Sequence, residues 1–390
     1  MFVGEKLFNR IKPVLGNAVF LSLPGLSNIL NSFLIIRFYQ TAWWGNIVEL
    51  QIIYYVVTTF TIWGNKEFLL REFSKSPSQL KNIWSESFNT RSVLLVIPAL
   101  LFVLLFSHLQ GVIYLIIWIF LRHIQQSFES IASFEKKFIP LMISELAVLT
   151  SSVMICIFNK DLIFEDILFL ITLGYFLRTV ISSFFYRKYF AKGFSFNMIK
   201  SSMGFMLLGF TGVVQTKTDA MAVNLLLDKI ELAKYGIVTS LILMGASAAS
   251  FIIYPYAKNV FRISKDGLKN FIKQFYQIGI LISLSVILLE FAVIKYFYHI
   301  DFSITVYFIS FVCIMPVFWY TPVAFYFFGE NKITKVILIN SSGIVINAIA
   351  SFLLIKPFGI EGALCSMALS QIGMLIWFYV DFYQSMKNEY

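Results

Sequence analysis

Apolar residues fill twelve long stretches of this chain, separated by short polar segments. Each stretch is close to the roughly 20 residues that an apolar helix needs to cross about 30 Å of hydrocarbon. The runs are continuous and lack a period of two, so they predict helices and exclude the strands of a membrane barrel. The predicted spans are approximately residues 15–36, 43–64, 92–109, 110–131, 138–158, 163–186, 201–226, 233–257, 274–297, 302–328, 333–355 and 359–384.

The connecting loops differ sharply in positive charge. Arg178 and Lys217 fall within spans, and most of the other Lys and Arg, of 31 in the chain, lie on one side. The opposite side holds only Arg37, Lys160, Lys229, Lys234, Lys295 and Lys356. Short loops rich in Lys and Arg stay in the cytoplasm, so the pattern predicts a multi-pass membrane protein with both termini cytoplasmic. The longest loop is predicted at residues 65–91, and we expect no soluble domain.

Composition supports the same class of protein. Hydrophobic residues make up 58% of the chain and charged residues 13%, whereas charged residues are about 25% of a soluble domain. The net charge of +10 is spread around one face, so we expect contact with membrane lipids and no nucleic-acid partner. Cys156, Cys313 and Cys365 lack metal-ligand spacing, and the three histidines are far apart in sequence near loop ends, so no metal site is predicted.

Similar residues recur in the two halves at an offset of 191 positions. Trp44-Gly45 aligns with Tyr235-Gly236, and Arg71 aligns with Arg262. With six spans in each half, this would be a parallel repeat about an axis near the membrane normal. The alternative is a chance alignment of apolar helices. The repeat predicts an N-terminal lobe of helices 1–6 at residues 1–190 and a C-terminal lobe of helices 7–12 at residues 191–390.

The seventh span carries the richest set of polar residues within the apolar segments. Lys217 and Asp219 are two positions apart, about 200° around a helix, so they do not simply pair with each other. Gln215 and Asp219 share one face, while Lys217 and Asn224 share the other. Such a helix can line a cavity and contact a neighbouring helix at once. We expect Lys217, together with Arg178 of the sixth span, to face a central cavity.

Carboxylates within spans are the other candidates for a site, because an ionisable group there costs roughly 2.5–3.5 kcal/mol. Glu49, Glu145 and Glu290 each lie about two turns from a predicted span end. Each of them is either a cavity or ion-coupling group, or a paired structural group. By contrast, Gln125, Gln126 and Glu129 indicate an interfacial face.

Three prolines lie within predicted spans: Pro255, Pro316 and Pro322. A proline frees a backbone carbonyl and permits a kink, so these are hinge candidates. No catalytic constellation and no phosphate-binding loop is present. Any energy for transport would therefore come from an ion gradient or from the gradient of the substrate.

Two segments resemble the polysaccharide transporter branch of the multidrug/oligosaccharidyl-lipid/polysaccharide (MOP) exporter superfamily, the O-antigen flippases. The segment from Gln215 to Thr239 is similar to a polar, Asp-containing helix followed by a short turn and a Tyr-Gly pair. The segment from Gly329 to Gly373 resembles the Asn-Lys, Asn-containing helix and Pro-x-Gly-Ile-x-Gly-Ala turn of that branch. These motifs cover about a sixth of the chain.

The resemblance implies an all-α, MATE-like membrane protein with two six-helix lobes arranged as a V around a cationic cavity. It implies a flippase, not an enzyme, that moves undecaprenyl diphosphate-linked oligosaccharide units for O-antigen lipopolysaccharide to the periplasmic leaflet of the bacterial inner membrane. In that interpretation Lys217 and Arg178 attract the diphosphate. Asp219 matches an acidic position of the family.

Two other functions stay open. A cation-coupled multidrug exporter of the same superfamily would use a carboxylate in the first lobe, for which Glu49 and Glu145 are candidates. A membrane polysaccharide polymerase would need catalytic residues on the outer surface, and the short outer loops show no recognisable site. We expect no cofactor, with H⁺ or Na⁺ as the candidate coupling ion, and neighbouring polymerase and chain-length proteins as partners.

Overall fold

The computed structural model describes residues 2–106, 110–158, 162–253, 265–330 and 332–387. These residues form helices and contain no strand. The helices are α1 Phe2–Phe38, α2 Thr41–Ile62, α3 Asn65–Lys75, α4 Leu80–Phe106, α5 Val112–Glu135, α6 Ile139–Leu146, α7 Leu149–Ile157, α8 Phe164–Tyr186, α9 Phe196–Leu226, α10 Lys229–Ile253, α11 Lys265–Ala292, α12 Ile304–Gly329 and α13 Ile333–Lys387.

Twelve membrane-length helices can be traced through the described residues. Eight helical segments are long and apolar enough to span a membrane, and α6 and α7 together form one of them, Ile139–Ile157. The last, Ile333–Ser385, contains two helices because Gly359 has a φ of 58°. The other three membrane-length helices are α4, α5 and α9, which have 27, 24 and 31 residues. The predicted all-α membrane fold is confirmed.

The segment predicted as the longest loop is mostly helical. Residues 65–91 contain α3, a 3₁₀ turn at Pro77–Gln79 and the beginning of α4. Phe68, Leu69 and Phe73 lie on one face of α3 and are buried with Phe128 and Ile131 of α5. The prediction of a loop was wrong because the many charged residues of α3 resemble those of a loop. They belong to a short amphipathic helix that packs against the protein through its apolar face.

The chain divides into two compact units. One unit comprises residues 1–18, 40–49 and 214–390, and the other comprises residues 19–39 and 50–213. The second has an aromatic core in which Trp84 stacks on Phe88 and Phe128, and Phe128 stacks on Tyr186. The lobe boundary near residue 190 stays a prediction.

Two glycines allow α2 and α10 to approach closely within the first unit. A Cβ atom on Gly45 would lie 2.0 Å from the carbonyl oxygen of Lys229, and a Cβ on Gly236 would lie 2.8 Å from Cγ2 of Val48. Gly45 and Gly236 are also the positions that align at the offset of 191 in the predicted repeat. Small residues at such crossings let helix backbones pack directly, so this reciprocal contact is consistent with the repeat.

We expect Gly45→Ala to destabilise the protein by about 1–3 kcal/mol, the usual cost of overpacking. The added methyl group would meet a backbone atom of Lys229, which cannot rotate away. Gly204→Ala is the matched control, since nothing lies within 4 Å of its Cβ position in α9. That change should be neutral or stabilising, because alanine favours a helix over glycine. Thermal unfolding of both purified variants in detergent measures the difference; equal stability would contradict the close approach.

Candidate functional site

The polar residues of α9 lie on two distinct faces, as the sequence predicts. Gln215 and Asp219 are buried, whereas Lys217 and Asn224 are half-buried. The buried face contacts other helices of its unit through polar side chains. The half-buried face carries the positive charge of Lys217 within the membrane-length helix.

The side chain of Asp219 is hydrogen-bonded to α10. Its Oδ2 atom accepts a hydrogen bond from the hydroxyl group of Tyr235, and both side chains are fully buried. Tyr235 belongs to the Tyr-Gly pair near the beginning of α10, and its hydroxyl group is the partner of Asp219 that the sequence did not reveal.

Gln215 connects α9 to both helices of α13. Its Nε2 atom donates to Oγ of Ser370 at 3.2 Å, and its backbone carbonyl accepts from Nδ2 of Asn347 at 3.2 Å. Ser370 in turn donates to the carbonyl oxygen of Gly343 at 2.8 Å. The contribution of Ser370 was missed, because a single serine within an apolar run gives no distinctive sequence signal.

A second polar cluster joins α2 to the turn between α9 and α10. Lys229 Nζ lies 2.9 Å from Oε2 of Glu49 and donates to Oδ1 of Asn224 at 2.7 Å. Asn224 Nδ2 completes the ring by donating to Oε1 of Glu49 at 3.0 Å. All three residues belong to one compact unit. Glu49 is therefore ion-paired in this conformation, and Lys229 is the partner that sequence reasoning missed.

Arg178 forms a buried ion pair with Glu145 in the other unit. Its Nη1 atom lies 3.3 Å from both carboxylate oxygens, and both side chains are almost inaccessible. The guanidinium carbon lies 4.9 Å from the ring centre of Tyr175. Among the described residues, Nε and Nη2 of Arg178 have no hydrogen-bond partner. The two candidates predicted separately are thus brought together.

Gln125 extends this ion pair, contrary to the interfacial role expected for it. It is fully buried, donates to Glu145 at 3.4 Å and accepts from the hydroxyl group of Ser182 at 2.6 Å. The expectation was wrong because Gln125 occupies the inward face of α5. Its neighbour Glu129 instead pairs with Arg122 at 3.5 Å.

A buried arginine of α4, beside the end of α2, was also missed. Arg91 bonds the backbone carbonyls of Ile62 and Ser87 and the hydroxyl group of Ser127. His123, expected near a loop end, is buried in α5 beside Ser92, with 3.0 Å between Nε2 and Oγ. The sequence placed Arg91 among the loop charges because the apolar run begins only after it.

Glu290 on α11 lies apart from these clusters in the hydrogen-bond network. It is fully buried and accepts a 3.0 Å hydrogen bond from Ser310 of α12. Its other carboxylate oxygen has no hydrogen-bond partner among the described residues. An ionised carboxylate is energetically unfavourable in such an apolar environment. Glu290 is therefore still a candidate for proton or ion binding.

The hinge candidates fall partly within the described residues. Pro316 and Pro322 are buried in α12, which continues helically through both. Each lacks the amide hydrogen that would bond four residues back. Pro255 lies outside the described residues. A hinge role for any of them stays a prediction, and no group of three or more His, Cys, Asp or Glu in the described ranges could hold a metal ion.

No protein-family model matches the sequence, and no curated protein matches it. Solved structures match nearly its whole length. An outward-facing MATE multidrug resistance transporter of the MOP superfamily has a TM-score of 0.68, 10% identity and coverage of 96% of this chain and 95% of its own. A mutant of the Vibrio cholerae MATE transporter VcmN has a TM-score of 0.65 and 12% identity, and the match covers 98% of this chain and 97% of its own.

The lipid II flippase MurJ, in an inward closed conformation, has a TM-score of 0.60 and 11% identity. The match covers 94% of this chain and 86% of the MurJ chain. The fold is that of MATE transporters and MurJ. At these low identities the likeness establishes the fold and a multi-pass membrane architecture; it leaves the substrate open.

Proposed function

We propose that the protein is a flippase for undecaprenyl diphosphate-linked oligosaccharide units, the precursors of O-antigen or a related surface polysaccharide. It would move them by alternating access from the cytoplasmic to the periplasmic leaflet of the bacterial inner membrane, with both termini cytoplasmic. Chains of this fold include both multidrug transporters and a lipid II flippase, so the choice between these functions depends on the charged residues.

The observation that carries the proposal is the pairing of both acidic candidates in the predicted N-terminal lobe. Glu145 is neutralised by Arg178 and Glu49 by Lys229. A carboxylate that couples export to H⁺ or Na⁺ must be able to bind that ion. An Arg or Lys side chain paired with the carboxylate competes with the ion, because it already neutralises the negative charge. This arrangement favours the flippase over the cation-coupled multidrug exporter.

The cations in the spans suit a diphosphate. Lys217 places an ammonium group on the half-buried face of α9, and a charge at low dielectric attracts phosphate strongly. Arg178 is paired with Glu145 through Nη1 only, and its Nε and Nη2 atoms have no hydrogen-bond partner in the described structure. These two donors would bond phosphate oxygens once the site opens, with the ion pair to Glu145 retained. The oligosaccharide would then be bound by neutral polar and aromatic side chains of the cavity.

Energy coupling is proposed at the C-terminal lobe. Asp219 and Glu290 are buried carboxylates whose hydrogen bonds come from neutral hydroxyl groups, Tyr235 and Ser310. Either could bind H⁺ or Na⁺ during the cycle. The predicted lobes, 1–190 and 191–390, would rock against each other, and kinks at Pro316 and Pro322 would let α12 bend within the second lobe. Polymerase and chain-length proteins would receive the product.

A reconstituted system separates the two transport functions. The purified protein in vesicles should move a fluorescent undecaprenyl diphosphate-linked sugar between leaflets, measured by its chemical quenching from outside. It should give no accumulation of a cationic dye under an imposed proton or sodium gradient. Dye accumulation without lipid movement would favour the exporter, and protein-free vesicles set the background rate.

A further inference from the structure

An extended segment between α8 and α9 has chemistry that none of the clusters above uses. Residues 190–196, called the strap here, follow a 3₁₀ turn at Arg187–Tyr189 and run into the first residue of α9. Side chains alternate along such a segment. Phe190, Lys192, Phe194 and Phe196 are exposed, whereas the residues between them are half-buried.

The inward edge of the strap is fixed to α4. Asn89 Nδ2 donates to the backbone carbonyls of Ala191 and Gly193, both at 3.0 Å. The amide of Ser195 donates to Oγ1 of Thr90 at 2.9 Å. Gly193 has a φ of +153°, and a Cβ atom there would lie 2.8 Å from the Cγ of Glu86. These bonds hold the strap so that Phe194 and Phe196 face outward, whereas the Phe190 ring packs against Trp84 and Phe88.

The outward face combines apolar rings with positive charge. Phe194 and Phe196 are 62% and 65% exposed, an unfavourable state for large rings in water. Arg187, Lys188, Lys192 and Lys200 are also exposed, and residues 187–200 contain no Asp or Glu. Aromatic rings beside Lys and Arg are typical of segments that lie in the boundary between lipid headgroups and acyl chains.

The surface of α8 places the strap at that boundary. Exposed Phe176, Val180 and Phe184 recur every four residues and form one apolar stripe along the helix. The stripe ends where the guanidinium of Arg187 lies 5.0 Å from the ring centre of Phe184. A lipid-facing stripe that ends in a cation marks the depth at which long basic side chains reach the headgroups. The strap begins immediately after it.

We propose that the strap is a docking surface for the anionic phospholipid headgroups of the bilayer around the protein. The rings of Phe194 and Phe196 insert beneath the headgroups, while Lys192 of the strap and the flanking Arg187, Lys188 and Lys200 bind lipid phosphates. This inference goes beyond the flippase proposal and does not depend on it, since it requires only the membrane fold and the strap geometry.

The depth of the strap can be measured by spin labelling of the full-length protein. A single cysteine replaces Phe194 in a variant whose three native cysteines are changed to alanine, and the protein is reconstituted in vesicles of phosphatidylcholine and phosphatidylglycerol. Collision with oxygen should exceed collision with a water-soluble nickel complex at position 194. A label at exposed Lys81 is the aqueous reference. Equal nickel accessibility at the two positions would overturn the insertion.

Lipid selectivity tests the charges. The test variant replaces four basic residues by glutamine: Arg187→Gln/Lys188→Gln/Lys192→Gln/Lys200→Gln. The amount of co-purified phosphatidylglycerol should fall about fivefold or more below wild type, because one basic residue near a membrane contributes about this factor. The control Lys75→Gln/Lys81→Gln/Lys136→Gln/Lys137→Gln removes the same charge from other exposed positions. Native mass spectrometry of co-purified lipid reports both. Equal losses in the two variants would contradict a dedicated strap site.

Discussion

Arg178→Ala will destabilise the protein by about 3–5 kcal/mol, because it leaves the Glu145 carboxylate buried without its cation. Both side chains are almost inaccessible, and Gln125 is the only other described side chain that bonds the carboxylate. Thermal unfolding of the purified variant and its amount in the membrane should both fall. Lys81→Ala, at an exposed position, is the control and should behave as wild type.

The double variant Arg178→Met/Glu145→Gln separates structure from function. It removes both charges while keeping an oxygen that can accept from Gln125, so its stability should return close to wild type. If Arg178 binds the diphosphate, this stable variant should still transport poorly. An unfolding temperature as low as that of Arg178→Ala would refute the account of the ion pair.

Lys217→Ala will reduce surface glycan by about 10- to 100-fold while the protein stays folded. A hydrogen bond to a charged group contributes about 1.5–3 kcal/mol, and this loss would fall on substrate binding. Lys217 is half-buried, so its removal leaves a smaller structural defect than removal of Arg178. Glycan is measured by gel analysis and normalised to the amount of protein in the membrane.

Two controls frame this result. Lys217→Arg keeps the charge and should retain most of the glycan. Thr218→Ala changes the adjacent position, whose hydroxyl group bonds only the carbonyl oxygen of Val214 in its own helix among the described contacts, and should have little effect. Wild-type glycan in Lys217→Ala would remove Lys217 from the mechanism.

The fold could be predicted from the sequence, because long apolar runs are the main requirement for helices that span a membrane. Spans, their breaks and the turn at Gly359 follow from hydropathy and from proline and glycine. The helix α3 was not predicted, since its apolar face is only three residues, Phe68, Leu69 and Phe73. A short amphipathic segment between charged residues looks like a loop until its packing partner is known.

The candidate site was predictable as a set of residues and not as a set of pairs. The free-energy cost of an ionisable side chain in the membrane identified Arg178 and Glu145 as separate candidates. The two faces of α9 followed from helical geometry. The partners depend on tertiary contacts, such as that of Lys229 with Glu49, which lie far apart in the sequence. Gln125 and Arg91 were misplaced for the same reason: burial near a span end leaves no distinct pattern in one sequence.

Deletion of the gene in its host, followed by analysis of lipid-linked oligosaccharides on each side of the inner membrane, tests the central claim most directly. The account predicts loss of the surface polysaccharide, with complete repeat units held on the cytoplasmic face and restored by the wild-type gene. Unpolymerised units reaching the periplasmic face would indicate a polymerase instead, and unchanged polysaccharide would contradict the flippase.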